Sequence, residues 1–131
     1  MKKTFLLFLT AVLLSVASAF AQGGTTGPLT WNISGNTLTI SGTGAMPDYE
    51  QDGAPWYSYR SSIYTIVLQN GIETIGNNAF YHCFNLTSVT IPNSITSIGS
   101  KAFWSCYALA SATIPQNVTS IGGGAFSVVI V

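Results

Sequence analysis

Residues 86–108 read LTSVTIPNSITSIGSKAFWSCYA. Residues 109–131 read LASATIPQNVTSIGGGAFSVVIV, and the two stretches are identical at 11 of 23 positions. One period earlier, residues 63–85 read IYTIVLQNGIETIGNNAFYHCFN. Gly76, Gly99 and Gly122 fall in one column, and Ala79-Phe80, Ala102-Phe103 and Ala125-Phe126 in another. A fixed period of roughly 20–29 residues marks a chain built from stacked coils, each burying its apolar side against its neighbours.

One coil can be read position by position. Leu86, Val89 and Ile91 have the spacing L-x-x-V-x-I. In an extended segment Val89 and Ile91 point to one face, because the side-chain period is two, and Ser88 and Thr90 point to the other. Pro92 has no N–H and ends ladder pairing there. Ile95 and Ile98 make a second apolar pair, Gly99 allows a bend, and Ala102-Phe103 is a small-large pair on a short helical or 3₁₀ turn. Phe80, Phe103 and Phe126 are expected to stack into an aromatic ladder, each ring burying about 150–250 Å².

The strand segments 63–68, 86–91 and 109–114 should then lie side by side. Ile63, Ile66 and Leu68, with Leu86, Val89, Ile91, Leu109, Ala112 and Ile114, are expected inward. The face left open to a ligand carries Tyr64, Thr65, Val67, Thr87, Ser88, Thr90, Ser111 and Thr113, with Ala110 beside them. These are small, nearly uncharged side chains rich in hydroxyl donors and acceptors, with Tyr64 the one large anchor. The bland alternative is a plain solvated sheet.

The pattern L-x-x-V-x-I-P-x-x-I-x-x-I-G-x-x-A-F-x-x-C resembles the BspA-type leucine-rich repeat. The resemblance covers about residues 54–126, and residues 28–53 look like the N-terminal segment often placed before such repeats. It implies a leucine-rich-repeat solenoid, mainly β with short helical or 3₁₀ turns, its 23-residue repeats preceded by an N-terminal β-hairpin cap. It also implies a secreted or cell-surface protein that adheres to or recognises host or matrix macromolecules, without catalysis.

Residues 1–21 read as a secretory signal peptide, with Lys2-Lys3, an apolar run from Phe5 to Val16, and the cleavage motif Ala19-Phe20-Ala21. An uncleaved membrane anchor is the alternative, disfavoured by the short run. Residues 22–28, QGGTTGP, read as a flexible link. Residues 29–53 read as the hairpin cap: Leu29 to Ile33 and Leu38 to Ile40 alternate around the turn residues Ser34-Gly35-Asn36. Residues 54–131 are the repeats, beginning with a degenerate one whose Trp56-Tyr57 lies one period before Ala79-Phe80, which would put Tyr57 in the phenylalanine column.

Charge is sparse, at 6% Asp, Glu, Lys and Arg against the usual ~25%. Past residue 21 the cations Arg60 and Lys101 stand against Asp48, Glu50, Asp52 and Glu73, two against four, a net charge of −2. That balance argues against nucleic acid, which wants a basic face, and equally against a polybasic membrane-surface mode. No membrane span is expected after signal removal.

Few residues invite chemistry. Asp48, Glu50 and Asp52 lack the spacing of a calcium loop and read as a solvated turn. Trp56, Tyr59 and Arg60 read either as cap packing or as a sugar-stacking or protein-binding cluster. Cys83 and Cys106 lie one period apart, within disulfide reach if their strands pair, yet same-column side chains point in parallel, which favours two buried thiols. His82 is the lone histidine and has no nucleophile at recognisable spacing. Gly122-Gly123-Gly124 lacks the Lys-Ser/Thr of a phosphate loop. No cofactor or metal is expected. Ser127 to Val131 departs from the repeat pattern, and its β-branched run predicts self-association through the C-terminal edge.

The expectation is an exported binding module for a protein or glycan ligand. The rival is an accessory or spacer module of a larger secreted enzyme or surface protein.

Overall fold

The computed structural model describes residues 22–127. The segments read above as a signal peptide (1–21) and as a self-associating C-terminal edge (Val128 to Val131) lie outside the described residues. Among the described residues strands dominate and helix is confined to one 3₁₀ segment, Tyr57–Ser62.

The alternating residues after position 29 form a hairpin of β2 (Leu29–Ser34) and β3 (Thr37–Gly42), paired antiparallel from Leu29↔Gly42 to Ser34↔Thr37. Gly35 occupies the first central position of its two-residue turn with φ +59°, as a type II′ turn requires. Leu29, Ile33, Leu38 and Ile40 face the core, at 5% exposure or less.

The stretch read as a flexible link is instead strand β1 (Gly23–Thr26), paired antiparallel with β2. Its glycines suggested a linker, but Gly27 (φ +56°) followed by Pro28 supplies a second tight turn, which folds β1 back onto β2. The glycine at 23 also fits the site sterically: a Cβ there would meet the Trp31 carbonyl at 2.8 Å. Thr26 Oγ1 and the Tyr49 hydroxyl, 2.6 Å apart, tie this added strand to the loop that follows the hairpin.

From β3 onward the pairing turns parallel. β3 pairs with β5 (Thr65–Leu68), and β5 with β7 (Ser88–Thr90), giving a five-stranded sheet in the order β1-β2-β3-β5-β7. A second, four-stranded sheet runs β4 (Gly44–Ala45), β6 (Ile72–Ile75), β8 (Ser97–Ile98) and β9 (Ser120–Ile121), its pairs again parallel. Hydrogen bonds join residues 23 positions apart, as from Thr87 Oγ1 to the Tyr64 carbonyl and from Thr119 Oγ1 to the Thr96 carbonyl.

Between the sheets and the 76–80 and 99–103 turns lies one core. An aromatic row runs through it: Trp31 and Trp56 meet edge to face at 5.8 Å, Trp56 stacks on Phe80 at 5.7 Å, Phe80 meets Phe103 at a tilt at 5.2 Å, and Phe103 stacks on Phe126 at 5.0 Å. Trp56, not Tyr57, therefore takes the phenylalanine position. The larger ring can be fully buried because its Nε1 donates to the Ala79 carbonyl at 2.8 Å, so the indole N–H is satisfied. The turns close up through the glycine column: a Cβ on Gly76, Gly99 or Gly122 would lie 1.8, 2.5 or 2.4 Å from backbone of the preceding turn.

Two expectations for the third unit are corrected. Residues 109–114 hold a single bridge residue, Ser111, and the first sheet ends at β7. The inward column shrinks from Ile66 to Val89 to Ala112, so the last segment has less apolar area to hold it in register. Val89, Ile91, Ala112 and Ile114, expected fully inward, are half-buried, whereas Ile63, Ile66, Leu68, Leu86 and Leu109 are buried.

Candidate functional site

The hydroxyl face predicted from the repeats is assembled on β5 and β7. In the ladder Thr65 pairs with Ser88 and Val67 with Thr90. Tyr64 and Thr87 stand just before those strands, and the Thr87 amide and hydroxyl both donate to the Tyr64 carbonyl, at 2.8 and 3.0 Å. Tyr64 is 43% exposed, Thr87, Ser88 and Thr90 are exposed, and Thr65 and Val67 are half-buried between their neighbours. Ser88 Oγ donates to Thr65 Oγ1 at 3.5 Å, so part of this hydroxyl set is already used within the protein. Ser111 and Thr113 are exposed; Ser111 makes a single bridge and Thr113 lies beyond it, and neither sits on a strand of the sheet.

The face extends in the other direction. Thr37 pairs with Thr65 and Thr39 with Val67, so β3 continues the same rows. Across the hairpin Thr39 pairs with Asn32 and Ser41 with Thr30, whose hydroxyls are 3.0 Å apart. These residues were missed because the hairpin was read only as a cap. Its alternation of Thr, Asn and Ser with apolar residues was the available signal.

On the other sheet an open groove of about 460 Å³ runs over β4, β6, β8 and β9, lined by Thr74, Ser97 and Ser120. Its one carboxylate, on Asp48, accepts from the Asn77 amide at 2.8 Å, and the Asn77 side-chain oxygen accepts from the Ser100 amide at 2.8 Å. The acid that sequence alone placed on a solvated turn thus closes one turn onto the next.

Cys83 and Cys106 are buried free thiols, and Cys106 Sγ donates to the Phe80 carbonyl at 3.3 Å. Burial pushes the Cys106 thiol up to about 12 and the Cys83 thiol higher still. His82 stacks on Tyr81 with ring centroids 4.2 Å apart. Among the described residues no group of three His, Cys, Asp or Glu side chains could hold a metal ion. Among them, too, no helix is long and apolar enough to cross a membrane.

This architecture has known relatives. The chain is similar to the crystal structure of a leucine-rich repeat protein from Eubacterium ventriosum, with 39% identity and a TM-score of 0.69 over 76% of this chain and 26% of that one. It thus spans about a quarter of that protein's length. A leucine rich cell surface protein from Faecalibacterium prausnitzii matches at 24% identity and a TM-score of 0.44, over 82% of this chain and 40% of that one. The Treponema pallidum leucine rich repeat protein matches at 19% and 0.42, over 80% and 66% of the two chains. No curated protein matches. Residues 54–129 match the family described as the BspA type leucine rich repeat region (6 copies). On that match, which takes in the glycine column and the aromatic stack, the chain belongs to the BspA-type leucine-rich repeat family.

Proposed function

We propose that the chain is an exported, non-catalytic binding module: a solenoid of 23-residue coils that recognises a protein or glycan at the cell surface through its first sheet. The observation that carries this is the division of labour on β3, β5 and β7. Leu38, Ile40, Ile66 and Leu68 are buried, while Thr37, Thr39, Thr65, Val67, Ser88 and Thr90 form continuous rows on the opposite face. Tyr64 offers the large exposed anchor beside them. Membership of a leucine-rich repeat family supports a recognition role, and the A-x-A motif at Ala19-Phe20-Ala21 supports export. Affinity rests on many small hydroxyls, so a single module binds weakly and copies acting together bind well.

The test is a screen of the exported chain against glycan and extracellular-matrix arrays, repeated with Tyr64→Ala and Thr90→Arg. Loss of a hit in both variants supports the reading. Retention in both removes the sheet face from it. A second reading, a leucine-rich module within a larger secreted enzyme or surface protein, is favoured by the far greater length of the Eubacterium ventriosum relative.

A further inference from the structure

The turns that carry the aromatic stack also present a second aromatic row outward. Tyr57 follows Trp56 as Tyr81 follows Phe80 and Trp104 follows Phe103, and all three outer rings are half-buried. The turns are held in register by hydrogen bonds from the Phe80 amide to the Ala102 carbonyl at 2.7 Å and from the His82 amide to the Trp104 carbonyl at 2.8 Å. Each outer ring has a basic partner. The Arg60 guanidinium lies 4.1 Å from the Tyr57 ring centroid, His82 stacks on Tyr81, and the Lys101 ammonium lies 5.4 Å from the Trp104 centroid.

Arg60, His82 and Lys101 are all the basic side chains this protein has past residue 21, and each lies against one of the outer rings. Arg60 donates to the Tyr57 carbonyl at 3.1 Å, while its Nε is buried without a hydrogen-bond partner. The acids are mostly elsewhere: Asp48 bonds the Asn77 amide and Glu73 stands on β6, though the Asp52 carboxylate lies near enough to the Tyr57 hydroxyl to raise its pKa.

We propose that this row binds an acidic polysaccharide, a chain of uronic acid residues whose apolar ring faces rest on Tyr81 and Trp104 while its carboxylates meet Arg60 and Lys101. A sugar offers the flat C–H faces that aromatic rings hold, and a repeating carboxylate matches cations spaced along the row. An acidic peptide fits less well. It gains affinity by pairing its backbone with an open edge, and here the turn amides are already bonded to the next turn. The proposal concerns a different surface from the sheet face and stands or falls separately from it.

The experiment titrates the full chain by calorimetry with three probes: hexagalacturonate, neutral cellohexaose and a hexaglutamate peptide. Hexagalacturonate should bind saturably and more tightly than the other two, and binding should weaken as salt rises. Arg60→Gln and Lys101→Gln should each weaken it by about threefold or more, and Trp104→Ala by about tenfold. Lys101→Gln removes the charge of a half-buried side chain outside the core cluster, so it tests the site without testing the fold. Thr90→Arg, on the sheet face, should leave binding unchanged. Absence of saturable hexagalacturonate binding, equal binding of cellohexaose, tighter binding of hexaglutamate, or an unaltered Lys101→Gln would each overturn the proposal.

Discussion

Phe103 has neighbours in the stack on both sides, Phe80 at 5.2 Å and Phe126 at 5.0 Å, and is fully buried. Truncating it removes contact with both and leaves a cavity that backbone-paired turns cannot close. Phe103→Ala should therefore cost about 3–5 kcal/mol, read from the midpoint of urea unfolding. Cys83 and Cys106 should react slowly with a thiol reagent in the folded chain and completely in denaturant, because burial holds both as neutral thiols. Their folded pKa values lie above the ordinary 9.0, so the neutral form is the one the fold favours. Their contribution to stability is full below pH 9 and falls as pH rises from there toward about 12, a decline that alkaline unfolding curves would register and that replacing both cysteines by alanine should flatten. These residues were legible before the fold was known, because the columns Phe80-Phe103-Phe126 and Cys83-Cys106 recur at one spacing. Trp56 was not: its unit departs from the period, and only the hydrogen bond from its Nε1 to Ala79 explains why tryptophan fits there.

At the scale of the elements, the turn joining β8 to the Ala-Phe pair depends on Gly99. A Cβ there would lie 2.5 Å from the Asn77 amide nitrogen and 2.6 Å from the Gly76 carbonyl carbon, both of them backbone atoms that cannot rotate away. Gly99→Ala should destabilise by roughly 1–3 kcal/mol through forced separation of the turns, whereas Gly123→Ala, with open space around its Cβ, should be near neutral. Thermal unfolding of the pair separates a steric role from a general dislike of alanine. The hairpin β2-β3 could be read from alternation and turn residues. Strand β1 could not, since the glycines of Gly-Gly-Thr-Thr offset the strand preference of its threonines and leave no apolar alternation, and its existence depends on the Gly27-Pro28 turn and on pairing with β2. The opposite error arose at 109–114, where the repeat pattern persists but β7 finds no regular partner.

For the molecule as a whole, the recurring apolar, glycine and Ala-Phe columns were visible as soon as they were aligned, and most inward residues followed from them. The extent of the candidate face was not visible. Parallel pairing of β3 with β5 offsets Thr37 from Thr65 by a different interval than that between Thr65 and Ser88, so no single period could place the hairpin's hydroxyls beside those of the repeats. The same parallel pairing has a mechanical consequence. Hydrogen bonds between β3, β5 and β7 run across the sheet from strand to strand, and among the described residues β1 lies at one edge of the sheet while the turn ending at Ser127 follows the last paired strand, β9. Tension applied through Gln22 and Ser127 loads these rows one after another rather than all together in shear. Held between two tethers, the protein should peel strand by strand in small low-force steps and rewind when slackened, which single-molecule stretching would record as a shallow staircase instead of one abrupt rupture.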